Sequence, residues 1–486
     1  MEDMNALNRK TIGWSSVKLG QFVISEKGKK PKKLVKENND NYSIPYVNIQ
    51  AFEKNIIEEY TDGEGCVICD EDDFLMVWDG SRSGFVGRAI YGAVGSTLVK
   101  INFPGISNLY AYYFLKSKFI EINTRAKGTG TPHVDPNLLW NYNFPIAPLN
   151  EQKRIVDKIE ELFSELDYGI ETLKNIQQQL KVYRQTVLKW AYEGKLTEKW
   201  RKGQNDLETG NQLLEQIGND FEKTKNTKVK NQNMTEEELN ELPELPITWS
   251  SAKLNFLANI IGGVTKGRDF KNKHTIMIPY LRVANVQDGY LDLKEIKEIE
   301  IVETEKSKYL LKENDILYTE GGDKDKLGRG TIWKGQVKDC IHQNHVFRAR
   351  LNSELISPKY IAYYSQTKLA KNYFYKNAKQ TVNLASINMT VLSNLVIPIP
   401  SQLEQIKIVE EIESRFSICE KLEEAINLSL KQADQLRQSI FQKAFEGKLV
   451  PQDPNDEPVE LLLERIRKMR EEHYSSTGTK PKRSKK

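Results

Sequence analysis

Apolar residues recur every three or four positions through two long stretches of the chain. In the first, Ile155, Ile159, Leu162, Leu166, Ile170, Leu173, Ile176, Leu180, Tyr183, Val187 and Trp190 follow this spacing. In the second, Val409, Ile412, Phe416, Cys419, Leu422, Ile426, Leu430, Ala433, Leu436, Ile440 and Ala444 keep it. A seam of roughly 3.5 residues predicts helices from Glu151 to Leu196 and from Glu404 to Leu449, each with one apolar stripe. At 1.5 Å per residue each stripe runs about 60 Å, and a stripe that long must be covered, with the other helix as the nearest candidate. Pro148 and Pro400 stand just before the helices. Gly194 and Gly447 follow the last apolar positions, where a residue able to take positive φ commonly ends a helix.

The two stretches are copies. Gln152, Phe163, Arg184 and Gly194 reappear as Gln405, Phe416, Arg437 and Gly447, always 253 positions later. Upstream, Trp14-Ser-Ser-Val-Lys-Leu19 answers Trp249-Ser-Ser-Ala-Lys-Leu254, and Ile44-Pro-Tyr46 answers Ile278-Pro-Tyr280. Gly87-Arg88 matches Gly328-Arg329, Tyr112-Tyr113 matches Tyr363-Tyr364, and Pro145 matches Pro398. The separation drifts from 235 to 253, so the second copy carries small insertions between shared elements. A period this long points to duplication of a whole domain with its helix, not to a solenoid.

The segments before the helices read as mixed α+β. Phe74 to Trp78, Ser96 to Ile101 and Asp315 to Thr319 pattern as strands, and Asn108 to Ile120 and Lys359 to Tyr373 as helices with interleaved tyrosines. The expected organisation is a globular module over 1–148, a spacer helix over 149–197 and a linker over 198–244, then a second module over 245–400 and a second spacer helix over 401–449. The linker is rich in Asn, Lys and Glu, with one short helix expected near Gln212 to Ile217. The segment 450–486 ends in a basic Tyr474–Lys486 tail whose Ser, Lys and Pro content predicts disorder. The fold class expected is therefore α+β, with two modules of mixed α/β content, each followed by a long helix. If the helices pair antiparallel as a coiled coil, the modules are related by an approximate two-fold axis, a geometry suited to two separated half-sites on duplex DNA.

Composition narrows this only a little. The chain has 486 residues, 39% of them hydrophobic, and a net charge of +4, which identifies no nucleic-acid binder because local charge density matters more than the sum. No run of 18 apolar residues appears and the N-terminus has no signal-type apolar core, so a cytoplasmic location is the expectation. Cys66-Val-Ile-Cys69 has zinc-knuckle spacing but no second ligand pair, so it reads as two strand cysteines. Cys340 and Cys419 read as small core residues.

Three loop segments fall at corresponding places in the two modules. Lys27-Gly-Lys-Lys-Pro-Lys-Lys33, with Lys29 and Lys30, corresponds to Lys266-Gly-Arg-Asp-Phe-Lys271, with Arg268; cations beside permissive glycine suit phosphate anchoring. Asp79-Gly-Ser-Arg-Ser-Gly-Phe-Val-Gly-Arg88 corresponds to Glu320-Gly-Gly-Asp-Lys-Asp-Lys-Leu-Gly-Arg329. Its candidates are Ser81, Arg82, Ser83 and Arg88 in the first copy and Lys324, Lys326 and Arg329 in the second. Arginine can bind guanine O6 and N7 bidentately, which makes Arg82 the natural base reader. The third pair is Lys127-Gly-Thr-Gly-Thr-Pro-His133 with Lys379-Gln-Thr-Val-Asn383, offering Lys127, Thr129, Thr131, Lys379, Thr381 and Asn383. Gln343 and Asn344 are potential adenine readers, with buried hydrogen-bonding roles equally open to them. His133 and His345 have no carboxylate spacing around them that would make them bases or metal ligands.

In this duplicated order the chain resembles the specificity subunit of Type I restriction-modification systems over nearly its whole length. The resemblance rests on the Trp-containing module starts, the Ile-Pro-Tyr strands and the Pro-Ile exits at Pro145–Pro148 and Pro398–Pro400. The Glu-Gln helix starts at Glu151 and Glu404 and the paired Glu-Gly-Lys-Leu helix ends complete it. It implies that each module is a target-recognition domain reading one half of a split DNA sequence, and that the helices act as spacer and dock the modification subunits. It also implies two methyltransferase subunits using S-adenosylmethionine, and motor-nuclease subunits using ATP and magnesium. No cofactor is expected on this chain.

The residues themselves offer no catalytic apparatus. An adenine-N6 methyltransferase needs Asn/Asp-Pro-Pro-Tyr/Phe, and neither Asn143-Phe-Pro145 nor Asp135-Pro-Asn137 is that segment. Gly262-Gly-Val-Thr-Lys-Gly-Arg268 lacks the ending of a phosphate loop. The expected function is therefore non-catalytic DNA recognition, with cationic loops setting register on phosphates and other side chains reading base edges. The rival reading is a coiled-coil scaffold with two protein-binding heads, which would need no basic glycine loops at matching positions. Because the copies agree in frame and differ in loops, the expected target is split and non-palindromic.

Overall fold

A computed structural model describes residues 13–225, 231, 234–271, 273–322, 327–380 and 385–477. The chain forms two compact units, Met1–Leu173 with Asn427–Lys486, and Lys174–Ile426. These are not the sequence modules: each unit takes part of both long helices, which run without interruption over Leu149–Tyr192 and Gln402–Phe445, 44 residues each.

In the first unit the opening and closing strands of the module pair antiparallel, Ser15–Lys18 against Asn143–Ile146. A four-stranded antiparallel sheet has the order Ile24–Lys27, Leu98–Asn102, Phe74–Val77, Val86–Arg88. A second sheet joins Tyr60–Thr61, Ile44–Val47, Gly92–Val94 and Ile68–Cys69, with its central pair parallel. Phe74–Val77 is buried on both faces, and the two-residue period of a strand divides its side chains. Phe74 and Met76 enter one core with Tyr110 and Phe114, while Leu75 and Val77 enter another with Val47, Cys69 and Val94.

The second unit repeats the plan. Ser250–Lys253 pairs with Val396–Ile399 in the same register, and Ala258–Ile261, Val346–Leu351, Ile316–Thr319 and Gly330–Ile332 form the antiparallel sheet. Thr275–Leu281 lies between Lys297–Val302 and the parallel Ile341–His342. Ile316 and Tyr318 face one core and Leu317 the other.

One alignment read from the sequence is corrected. Ser107 and Ser357 cap the corresponding helices, the Tyr110 and Tyr360 hydroxyls donate to Pro145 and Pro398 carbonyls at 3.0 and 2.8 Å, and Tyr113 and Tyr363 face Glu160 and Glu413. The copies therefore match 250 positions apart here (107 to 357), so Tyr113 answers Tyr363, not Tyr364. The adjacent tyrosines in both copies hid the one-residue shift.

Within each unit the two long helices pack antiparallel. In the first, Phe163 and Phe441 are 5.0 Å apart between ring centroids, and Arg437 ion-pairs with Asp167 while lying over Phe163. In the second, Arg184 ion-pairs with Glu423 at 3.1 Å and lies over Phe416, repeating the arrangement with the roles of the helices exchanged. On the second helix Ile412, Cys419, Ile426, Ala433 and Ile440 are buried at intervals of seven, the period of a coiled-coil seam. The first helix departs from the sequence reading. Ile176, Tyr183 and Trp190 are exposed, whereas Val156, Phe163, Leu188, Ala191 and Tyr192 are buried, because its ends lie under module cores as well as against the other helix. Tyr183 finds the partner its hydroxyl needs in Arg415. Gly194 and Gly447 share φ 69°, and Lys195 and Lys448 N–H groups close the helices on Trp190 and Lys443 carbonyls at 2.9 and 2.8 Å.

The linker is more structured than its composition suggested. It holds helices over Glu198–Lys202, Gly210–Lys225 and Glu236–Asn240, and Leu213, Leu214 and Ile217 enter the second unit's core. Their counterparts 249 positions on are Leu462, Leu463 and Ile466, in the helix Val459–Thr477, where Leu462 and Ile466 enter the first unit's core with Leu463 against it. The expected disordered tail thus begins helical, at Tyr474 to Thr477, and the remainder lies outside the described residues. Cys69 is a buried strand residue whose thiol donates to the Ile90 carbonyl at 3.2 Å, and no described helix is long and apolar enough to cross a membrane.

Candidate nucleic-acid interface

In the first unit the three loops singled out from sequence lie side by side. Lys27 Nζ ion-pairs with Asp79 at 2.9 Å, Gly80 N–H donates to the Pro132 carbonyl at 2.8 Å, and Lys127 and His133 exchange backbone bonds at 2.9 and 2.7 Å. Gly28 is required where the lysine loop turns, since a Cβ there would sit 2.2 Å from the Gly95 oxygen. This leaves Lys29, Lys30, Ser81, Arg82, Lys127, Thr129 and Thr131 exposed on neighbouring loops. The Asn123 side chain ties the middle loop down by donating to Ser81 and Ser83 carbonyls, both at 3.0 Å.

Arg82 is held by its guanidinium: Nη1 is 2.7 Å from Glu53 and the group lies 4.0 Å from the Phe85 ring centroid. A planar cation stacked on an aromatic face loses less side-chain entropy when it engages a base edge. Lys127 also pairs with Asp135 at 2.8 Å and holds that carboxyl below its usual range by hydrogen bonding. Two expected contacts stand apart from this face. Ser83 is fully buried, and Arg88 turns to Glu160 of the long helix at 2.9 Å.

In the second unit the corresponding loops meet around Glu320. Its N–H donates to the His345 carbonyl at 3.0 Å, its own carbonyl accepts from Ile387 at 2.8 Å, and its carboxylate is 2.5 Å from His345 Nδ1. Gly321–Gly322, Ala385–Ser386 and Lys379–Gln380 form a small antiparallel sheet. Val264 bridges Gln343, with Gly263 required there because a Cβ would lie 1.9 Å from the His342 oxygen. Lys266 and Lys379 are exposed, Lys266 lying over Tyr280 at 5.4 Å. Gln343 and Asn344 are half-buried. Arg268 is pinned to Glu305 at 2.5 Å and Arg329 donates to Gln287 at 2.6 Å. Lys324, Lys326, Thr381 and Asn383 lie outside the described residues. Burial pushes His342, directly beneath these loops, down to about 4.

Sequence reasoning missed Glu53, Asn123 and Gln287, which position loop residues from 29 to 42 residues away. The paired carboxylates Asp79 and Glu320 were legible as repeated loop starts, but their pairing with Lys27 and His345 was not. Among the described residues no group of His, Cys, Asp or Glu is placed to hold a metal ion.

A family described as "Type I restriction modification DNA specificity domain" has a model that matches residues 11–182 and 246–432. The Type I restriction enzyme EcoKI specificity subunit of Escherichia coli (strain K12) is 27% identical over 474 residues, 93% of this chain and 91% of that protein. The EcoBI specificity subunit of Escherichia coli is 26% identical over 467 residues, 92% and 90% of the two chains. A solved chain from work on "complex assembly and conformational transition of the type I R-M system" superposes with TM-score 0.63 at 18% identity, covering 90% of this chain and 98% of that one.

Proposed function

The chain belongs to the Type I restriction-modification DNA specificity family, a match that spans both modules, and from that premise we propose that each module reads one half of a split DNA target. The observation that carries this reading is the loop cluster: three non-adjacent segments are pinned together in one module, and the same positions in the other module carry different side chains on the same frame. Lys27, Lys29, Lys30, Lys127, Lys266 and Lys379 anchor phosphates, which fixes register without reading sequence. Arg82 reads a base edge in the first half-site, and Gln343 and Asn344 offer amide groups to the second. Shared frame with unlike loops makes the target non-palindromic.

The chain carries no catalysis of its own in this reading. Two modification subunits bring S-adenosylmethionine and methylate adenine after flipping it from the duplex, and motor-nuclease subunits bring ATP and magnesium. The assembly works on DNA in the cytoplasm. Methylation mapping of host DNA carrying this chain with its modification partner tests the proposal. A split motif with modified adenines is the expected result, and an unmodified genome despite assembled partners would overturn it. Arg82→Ala should relax base choice at one position of one half-site, by about 1–3 kcal/mol of discrimination. Uniform weakening on all sequences would remove Arg82 from base reading.

A further inference from the structure

In the second unit the segment before the module is strapped across it. Glu238 ion-pairs with the buried Lys253 at 2.8 Å, Lys376 is bonded to Glu237 and Glu241, and Tyr373 is pushed up to about 12 by burial and the nearby Glu238 and Glu241. Glu241, Leu242 and Pro243 form one wall of a groove of about 530 Å³ whose other walls include Lys189, Tyr192, Glu193 and Lys368.

The first unit has the same groove, again about 530 Å³, lined by Gln442, Phe445, Glu446 and Lys118. The first three match 253 positions apart and the last 250 (118 to 368), as elsewhere in the repeat. Lys18 holds the register position of Lys253, opposite Asn143 as Lys253 is opposite Val396, yet Lys18 is exposed. Its ammonium reaches only Asn141 and Asn143 oxygens among the described residues. No described residue stands where Glu241, Leu242 and Pro243 stand in the other copy.

The N-terminal sequence supplies the missing piece. Counting back from Trp14 and Trp249 without a gap, Glu2, Asn5, Leu7 and Ile12 coincide with Glu237, Asn240, Leu242 and Ile247, and Asp3 and Met4 with Glu238 and Leu239. We propose that residues 2–7 supply the missing wall of the first unit's groove, with Asp3 on Lys18 as Glu238 is on Lys253, and Leu7 lining the groove with Phe445 as Leu242 lines its own with Tyr192. The charges are complementary, and the gapless register gives the segment the same reach as its counterpart. The repeat then starts at the strap, not at the tryptophan.

Oxidative footprinting of the full-length chain tests this. Deleting residues 2–10 should raise labelling of Phe445 severalfold while Tyr192 and Tyr373 of the second unit stay unchanged. Lys18→Glu should do the same, and Asp3→Lys added to it should restore protection, which a merely destabilised strand pair would not. Labelling indifferent to the deletion, or a charge swap that fails to rescue, overturns the proposal. Protection that appears only with modification subunits present, with or without residues 2–10, assigns the groove to a partner and overturns it equally.

Discussion

Gln152 and Gln405 do the same work in the two copies. Each is fully buried; its amide donates to the carbonyl of Ala147 or Pro400 at 2.8 and 3.3 Å, and its oxygen accepts from the N–H of Ser107 or Ser357 at 3.0 and 2.9 Å. One side chain thus fastens the end of a module's last strand to the start of its tyrosine helix. Gln152→Ala leaves two buried backbone groups unpaired and should cost about 2–3 kcal/mol in a denaturant titration; a change within about 0.5 kcal/mol would mean that water replaces the amide. The repeated Glu-Gln was visible in the sequence, but its purpose was not, because the Ser partners are 45 and 48 residues away. His342 gives a second residue-scale expectation. Burial lowers it from 6.5 to about 4, so between those values the unfolded chain binds a proton that the folded chain refuses. Stability is therefore complete above pH 6.5 and falls as pH drops toward 4, by about 3 kcal/mol at the end. Comparing denaturant midpoints of parent and His342→Asn from pH 7.5 to 4.5 checks it. The variant should show a shallower acid loss, and parallel curves would exclude His342 as the source.

At the scale of elements, the long helices were legible because a 44-residue amphipathic pattern has few competitors, and their glycine ends because positive φ admits little else. Of the short helices after them, the one expected near Gln212 to Ile217 is present within Gly210–Lys225, but its burial and the helix Val459–Thr477 were not legible, since only Leu213, Leu214 and Ile217, or Leu462, Leu463 and Ile466, mark a buried face within a polar sequence. Such a stripe resembles a solvated linker until a partner surface is known. The helix Val459–Thr477 is nonetheless integral to the first unit. Ile466 packs so closely on Gly105, at φ +77°, that a Cβ there would lie 2.7 Å from Ile466 Cγ1. Arg154 adds a two-pronged bond to Asp456 just before the helix, at 2.6 and 3.2 Å. Truncating Ile466→Ala should cost about 2–4 kcal/mol, read as a lowered first transition in calorimetry. No shift in that transition would show that the helix merely rests on the surface.

The molecule as a whole is organised by units that the linear repeat does not respect. The second unit is one continuous span, Lys174–Ile426, and its main core draws on residues from Val187 to Ile412. The first unit's core instead needs Ile440, Phe441, Ala444, Val459, Leu462 and Ile466 from the far end of the chain. Each large apolar side chain among these contributes about 1.5–3 kcal/mol on burial, and together they match the 5–15 kcal/mol by which a domain is stable at all. A fragment of residues 1–197, the first module with its helix as the repeat would cut it, should therefore lack fixed packing, whereas residues 174–426 should unfold cooperatively by themselves. Supplying residues 427–477 in trans should restore cooperative unfolding to the first fragment, since the docking face on Tyr113, Phe114 and Phe163 is already present in it. Near-ultraviolet circular dichroism with a urea titration distinguishes the outcomes: a cooperative transition for residues 1–197 alone would mean that the closing half of the second helix decorates this unit rather than completing its core.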